Sequence, residues 1–248
     1  MELWNLIVNF GGPTFWSSVA SSFFGAIGGG LAILYIDHEK YKRKKLATIN
    51  TLLAMIGTNI NTLINFKEQH ALPHKTELDG IISKMGLSIN EKRPLTVIVV
   101  DVAFNSIFIP EFAKDYPFAD VAQFSYKNSA VVRFLMLSKR AMQEIETIGA
   151  HKNALTDKIL ADPEDISIKI VKYMGFNPQE SDNRLYGTTK SLVDCIDAAL
   201  FFNNKSVEAL YNLANITLPC CYQKRVNRIT VPLSHKHLMP ADDHIKGY

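Results

Sequence analysis

The first strongly apolar stretch of the chain covers residues 14–36, in which no side chain carries a formal charge. At about 1.5 Å per residue, a helix of these 23 residues exceeds the roughly 30 Å hydrocarbon core of a bilayer. A buried core helix of this length would usually carry some charge. A cleaved signal peptide would start with basic residues, whereas Glu2 is the only charged side chain in residues 1–13. The pattern therefore predicts a transmembrane helix after a short N-terminal segment, residues 1–13.

A short basic segment, residues 37–45, follows the apolar stretch directly. No Lys or Arg precedes the stretch, whereas five follow it: Lys40, Lys42, Arg43, Lys44 and Lys45. Basic residues beside a span stay on the cytoplasmic side and contact anionic headgroups. We therefore expect a single-pass protein of a bacterial inner membrane, with its N-terminus outside and the rest of the chain in the cytoplasm.

A second stretch without charge, residues 46–66, contains four asparagines. If each buried amide costs even about 1–2 kcal/mol, the gain of roughly 0.3–0.6 kcal/mol from each Leu or Ile in lipid is largely cancelled. The large apolar residues recur at alternating steps of three and four, which is typical of a helix packed along one side. We therefore predict one span, followed by a helix whose inter-helix seam is formed by Leu46, Ile49, Leu53, Ile56, Ile60 and Leu63.

Small residues recur every four positions in the first apolar stretch. One stripe is formed by Ser17, Ser21, Gly25 and Gly29, and a second runs beside it through Ser18, Ser22, Ala26 and Gly30. Glycine is common in membrane helices generally, but small residues at this spacing also let helices approach closely and bond through hydroxyls. Because the stripes lead directly into the seam, we predict that the span self-associates and that a ring of spans forms a polar pore.

Beyond the seam, the periodicity predicts an all-α protein with an antiparallel helical bundle over residues 46–219 and an irregular tail over residues 220–248. We expect the first helix to end near residue 70, because Leu72–Pro73 should break it. Residues 96–100, in the sequence TVIVV, fit a short strand or a buried turn of helix. Further helices are predicted over residues 78–85, 120–161, 164–174 and 188–218.

Composition narrows the function classes. The chain has 27 Lys and Arg against 24 Asp and Glu, a net charge of +3. This charge is too balanced for a protein that binds nucleic acid mainly through its phosphates. Hydrophobic residues make up 47%, enough for a packed core. The chain has three cysteines, an odd number without the spacing of a disulfide framework, which fits a reducing compartment.

Most candidate chemistry in the body has a simpler explanation. Asp101 follows a β-branched run, but no phosphate-binding loop accompanies it, so a magnesium site is not predicted. Asp194 and Asp197 lie three apart and could pair as carboxylates, although a solvated helix face is the commoner cause of this spacing. Five Cys and His residues near the C-terminus lack zinc spacing, so we predict no metal and no cofactor: Cys220, Cys221, His235, His237 and His244.

One pair of residues fits a catalytic pattern. Arg228 and His235 are separated by six residues, as in the R-x(4–6)-H motif of HEPN-type ribonucleases. In that chemistry the His moves protons at a ribose 2′-OH and the Arg stabilises phosphate charge, without a metal. Pro232 lies inside the motif and disfavours the helix that carries it in those enzymes. We therefore rank a non-enzymatic function ahead of a metal-independent endoribonuclease.

The span, the basic segment, the helical body and the Arg228–His235 pair together resemble the membrane-anchored, HEPN-like accessory proteins of type VI-B CRISPR loci. The resemblance implies a homo-oligomeric membrane pore that strengthens RNA-guided antiphage defence by compromising the inner membrane. It also implies three partners: other copies of the chain, the lipid bilayer, and an RNA-guided effector or its RNA products. Two alternatives stay open, a membrane-tethered ribonuclease using Arg228 and His235, and a plain tether that brings a partner to the bilayer.

Overall fold

All regular secondary structure in the described part of the chain is helical, as the sequence predicts. The computed structural model describes residues 13–90, 105–124, 129–174 and 184–241, so residues 96–100, Asp101 and His244 lie outside it. The helices are α1 (Pro13–Phe66), a π-helical turn (Lys67–Ala71), α2 (Leu72–Asn90), α3 (Phe118–Phe124), α4 (Ala130–Ala161), α5 (Ile166–Tyr173), α6 (Leu185–Thr217), α7 (Cys220–Gln223) and a 3₁₀ helix (Leu233–Leu238).

The chain divides into two compact units, Met1–Ala47 and Thr48–Tyr248, which we call the N-terminal unit and the body. Helix α1 starts with Pro13, a residue that suits the first position of a helix because it lacks an N–H group that would be unpaired there. An 18-residue stretch near the N-terminus is long and apolar enough to cross a membrane, and none of it is buried. The prediction of a candidate membrane helix is confirmed as far as length and apolar composition are concerned.

The predicted break at Leu72–Pro73 is wrong. The helix passes through a π turn, in which the Leu72 N–H donates to the carbonyl of Lys67, and then continues as α2. In a regular α-helix the ring of Pro73 would collide with the carbonyl four residues earlier. A wider turn directly before the proline relieves this collision. The helix therefore changes from α-helical to π-helical hydrogen bonds over one turn and does not end there. Helix α2 also runs past Gly86, where we expected it to stop.

Other helix limits differ by a few residues. The predicted 120–161 helix is two helices, because α3 begins directly after Pro117 and α4 begins at Ala130. Helix α6 starts at Leu185 and ends before Pro219, with Leu218 extended as a residue before proline prefers. The predicted 164–174 helix is α5. The tail is not irregular throughout, because α7 and the 3₁₀ helix lie in it.

The core of the body contains α4 and α6, which pack against each other extensively. An extended segment, residues 105–117, packs beside α4. Its backbone is held by the Asn153 side chain, which accepts from the N–H of Ile107 and donates to the carbonyl of the same residue, both at 2.9 Å. Gly149 of α4 lets this segment approach closely, because an added Cβ would lie 2.7 Å from the Cδ1 of Ile109.

Asn59 of α1 holds the same segment further along. Its amide accepts from the N–H of Ala113 and donates to the carbonyl of that residue, both at 2.9 Å, and donates to the Tyr116 hydroxyl at 3.0 Å. Asn59 is 1% exposed, so these bonds replace the water that a buried amide would lose. The asparagine that argued against a second membrane span is thus a structural residue of the body.

Candidate functional site

The first candidate site is the small-residue face of α1. Ser17, Ser21, Gly25 and Gly29 are all exposed. The Ser21 hydroxyl donates to the Ser17 carbonyl at 2.6 Å, which satisfies its donor within the helix. This local bond removes the penalty that an unpaired hydroxyl would have in hydrocarbon.

The glycines of this face are not required by packing inside the chain. A Cβ added at Gly25, Gly28, Gly29 or Gly30 would meet no atom within 4 Å. The second stripe, with Ser18 and Ser22, is equally exposed. The absence of large side chains here therefore has no cause within a single chain.

Large apolar side chains on the same helix are also exposed to an unusual degree. Phe23 is 63% exposed, Phe24 71% and Leu34 67%. Burying such a side chain is worth about 1.5–3 kcal/mol, so several of them in water would be strongly unfavourable. This part of α1 therefore presents a large apolar surface that no described part of the chain covers.

The basic segment after the span is not uniform. Lys40, Arg43 and Lys44 are exposed, and Glu39 lies 3.8 Å from the Nζ of Lys42. Lys45 differs from the rest because it is only 7% exposed. Burial lowers its pKa, and its Nζ lies 5.4 Å from the centre of the Tyr41 ring. Contact with lipid headgroups is therefore expected of the exposed members rather than of all five.

The seam is buried within one chain. Leu46 is partly exposed, and the other five members are at most 1% exposed: Ile49, Leu53, Ile56, Ile60 and Leu63. These five side chains already pack in the body and offer no surface to a second copy. The case for self-association therefore rests on the small-residue stripes and not on the seam.

The second candidate site lies in the C-terminal part of the body, along residues 225–238, which we call the strap. Its first part is joined to α1, where the Asn50 amide donates to the Arg225 carbonyl at 3.0 Å and accepts from the Asn227 N–H at 2.9 Å. Its middle is joined to α6, where the Tyr211 hydroxyl accepts from the Ile229 N–H at 2.7 Å.

The end of the strap is joined to the π turn by a buried lysine. The Lys67 Nζ donates to the Leu238 carbonyl at 2.7 Å and to the Asp197 carboxylate at 2.5 Å. Lys67 is 7% exposed, so its charge is balanced by Asp197 rather than by water. Asp197 therefore serves an ion pair with Lys67, whereas Asp194 is exposed, and the two do not form a carboxylate site.

The two residues of the predicted catalytic motif lie in different surroundings. Arg228 is exposed in the non-helical part of the strap, and His235 lies in the 3₁₀ helix with its Nε2 3.9 Å from the Glu68 carboxylate. Pro232 separates these two parts. The His235 side chain thus approaches Glu68, and no hydrogen bond or ion pair within the described residues joins it to Arg228.

No metal site is evident in the described residues, among which no group of three Cys, His, Asp or Glu side chains could hold an ion. Cys220 and Cys221 are exposed, and no disulfide links the cysteines described. Burial raises the pKa of the Cys195 thiol to about 11, so this thiol is neutral and unreactive near neutral pH.

A buried cationic group lies elsewhere in the body. Lys152 is 2% exposed, donates to the Asn105 carbonyl at 3.1 Å, and has its pKa lowered to about 8 by burial. Burial also lowers the pKa of His74 to about 4, and the positive charges of Lys152 and His70 add to this effect. His74 is therefore neutral at physiological pH.

The strap forms one wall of a pocket of about 410 Å³. The opposite wall is the end of α6, with Tyr211, Ala214 and Asn215, and α7 contributes Gln223. Arg228 lies in the lining, but His235 does not. Sequence reasoning missed this pocket, although one signal was available: residues 209–241 contain no Asp or Glu, while four Lys and Arg lie among them.

Comparison of the chain with family models, with curated proteins and with solved structures finds no match. The described residues define the class of an all-α protein, and they contain one candidate membrane helix. Any narrower function has to be argued from the residues themselves.

Proposed function

We propose that this chain is a single-pass membrane protein whose spans associate into a homo-oligomeric pore. One observation supports the proposal most directly. The apolar part of α1 is entirely unburied, and the glycines on its small-residue face have open space where a Cβ would lie. Lipid would cover Phe23, Phe24 and Leu34, and close helix–helix contact would account for the glycines.

The proposed orientation follows from the basic segment. Lys40, Arg43 and Lys44 are exposed after the span, and no basic residue precedes it. Under the positive-inside rule, this charge distribution supports the proposal that the body lies in the cytoplasm of a bacterial cell and residues 1–13 outside the inner membrane.

The proposed biological role is that of an accessory protein in RNA-guided antiphage defence. It rests on the resemblance of the chain to the membrane-anchored accessory proteins of type VI-B CRISPR loci. The all-α body and the candidate membrane helix agree with that resemblance. The pore would compromise the inner membrane when an RNA-guided effector, or RNA that it has cut, is present.

The size of the purified protein tests the oligomer. Full-length protein in mild detergent should have a molar mass of several chains by light scattering, and it should release a trapped dye from lipid vesicles. A monomeric particle would contradict the pore, whatever the biological role.

A graft of the span distinguishes a pore from a tether. If residues 14–36 are replaced by an unrelated single span without small-residue stripes, the body should stay at the membrane, but dye release and phage protection should be lost. Full protection by the graft would instead favour the plain tether. The ribonuclease alternative has less support, because His235 approaches Glu68 and only Arg228 lines the pocket. This alternative predicts that His235→Ala abolishes RNA cleavage and protection.

A further inference from the structure

The pocket between the strap and the end of α6 has the size and lining of a small-molecule site. Its volume of about 410 Å³ falls within the roughly 300–1,000 Å³ of known ligand pockets. Apolar surface comes from Val226 and Ile229, and the Tyr211 ring adds an aromatic wall. Polar groups of Asn215, Thr230 and Arg228 lie among them. A few polar groups set in apolar walls is the usual composition of a specific ligand site.

The charge of this region selects an anionic ligand. No Asp or Glu occurs in residues 209–241, and Arg228 is exposed in the lining of the pocket. Lys224 and Arg225 precede it closely in sequence and add further positive charge. An exposed guanidinium without a carboxylate partner in this part of the chain can bind a ligand without first breaking an ion pair.

The available donors favour a phosphate over a carboxylate. The guanidinium provides a planar fork of N–H groups, and the Asn215 amide and the Thr230 hydroxyl can donate to a third oxygen. A phosphomonoester has three such oxygens and a charge near −2, so it gains more than a carboxylate does from residues 209–241, which contain four Lys or Arg and no Asp or Glu.

We propose that this pocket binds a phosphomonoester with an apolar or aromatic body, such as a nucleoside monophosphate or the headgroup of a phosphatidic acid. The phosphate contacts Arg228, Asn215 and Thr230, and the organic part lies against Tyr211 and Val226. Because one wall is the strap and the other is α6, the bound ligand joins these two parts of the body. The site does not depend on the proposed pore, since all of its lining residues lie in the body of one chain and none lies in the span.

Direct binding to the full-length protein in detergent tests this proposal. Adenosine 5′-monophosphate is the soluble probe, with adenosine and inorganic phosphate as comparisons. Vesicles of phosphatidylcholine with and without phosphatidic acid are the lipid probe. We expect either the nucleotide or the phosphatidic acid to bind, and whichever does identifies the source of the phosphate. Adenosine binding as tightly as its monophosphate, or binding of neither probe, would overturn the proposal.

Three variants locate the site, of which Arg228→Gln and Lys224→Gln are a matched pair. Arg228→Gln removes charge-assisted hydrogen bonds and should weaken binding by about tenfold to a hundredfold. Lys224→Gln removes the same charge from an exposed residue outside the lining and should change binding by no more than about twofold in physiological salt. Thr230→Val keeps the shape of the side chain and should weaken binding by about tenfold or less through the lost hydroxyl. Equal binding by Arg228→Gln and wild type would overturn the assignment, and the oligomer size of these variants, measured in parallel, keeps this result separate from the pore.

Discussion

Two stretches of α1, residues 14–36 and 46–66, both lack charge, yet the structure treats them in opposite ways. Large side chains of the first stretch are exposed, such as Phe24 at 71%, whereas Leu53 and Ile56 of the second are fully buried. Both would score as apolar by a simple count of charges. The difference lies in their polar residues and in what those residues bond to.

Serine and glycine are compatible with lipid because they need no partner from outside the helix. Ser21 bonds to a carbonyl of its own helix, and glycine has no polar side chain. Asparagine presents both a donor and an acceptor, which cannot both be satisfied along one helix. Asn59 and Asn50 instead bond to the backbone of non-helical segments in the body. The type of polar residue is therefore more informative than the number of polar residues.

The largest expected effect comes from replacing a polar residue of the second stretch, residues 46–66, by an apolar one. Asn59→Leu should lower the free energy of unfolding of the body by about 3–5 kcal/mol, because it removes the buried hydrogen bond to the Tyr116 hydroxyl and leaves the partly buried N–H and carbonyl of Ala113 without Asn59 as a partner. Urea unfolding followed by near-UV circular dichroism measures this change.

Asn61→Leu is the matched control for Asn59→Leu. Asn61 lies two residues away on the same helix and is exposed, so its replacement should change stability by no more than about 0.5 kcal/mol. Similar losses in both variants would mean that leucine itself disturbs the helix, and the structural role assigned to Asn59 would be wrong.

Periodicity predicted the helices because it depends on local spacing alone. The seam from Ile49 to Leu63 is buried as its three- and four-residue steps require. The π turn was missed because a proline usually ends a helix, and only the local hydrogen bonds reveal that a wider turn can accommodate Pro73.

The partners of polar residues could not be predicted because they are distant in sequence. Asn59 bonds to a residue 54 positions away, and Asn50 to one 175 positions away. The pocket likewise combines α6, α7 and the strap. The absence of Asp and Glu from residues 209–241 was visible in the sequence, but it did not show that a pocket forms there or which side chains line it.

Acid should lower the stability of the body but should not affect insertion of the span. His74 has a pKa of about 4 in the folded protein, against about 6.5 when unfolded, so the unfolded chain binds more protons between these values. The free energy of unfolding should therefore fall as the pH falls from about 6.5 to about 4, by at most about 2 kcal/mol because His74 is partly solvated.

His74→Gln should remove this part of the pH dependence and leave stability at neutral pH nearly unchanged. Membrane insertion should not respond over the same range, because residues 14–36 contain no Asp, Glu or His. An unchanged slope of stability against pH in His74→Gln would show that other groups cause the acid sensitivity.

A third test acts on the span alone. Gly25→Leu or Gly29→Leu should separate neighbouring helices and cost about 1–2 kcal/mol per helix contact. The dissociation constant of the oligomer should therefore rise tenfold or more. The protomer should fold normally, because an added Cβ at either position meets no atom of the chain within 4 Å apart from the adjacent backbone of its own helix. Insertion should improve by a few tenths of a kcal/mol, since leucine favours lipid.

Ala20→Leu is the control for these glycine variants, because Ala20 lies on the side of the helix opposite both stripes. Light scattering in mild detergent and dye release from vesicles measure the two expected losses. Oligomers and dye release of wild-type size in both glycine variants would mean that the stripes do not form the contact, leaving α1 as an anchor.

The smallest effect concerns the basic segment between the two stretches. Lys44 is exposed and Lys45 is 7% exposed, so Lys44 should contribute about 1 kcal/mol at an anionic surface and Lys45 much less. Lys44→Gln should therefore lower the ratio of correctly oriented to inverted molecules about fivefold, as measured by protease access to the C-terminus in inverted membrane vesicles. Lys45→Gln removes the same formal charge one residue further along and should leave orientation nearly unchanged. If Lys45→Gln inverted as many molecules as Lys44→Gln, total charge rather than exposed charge would set the orientation.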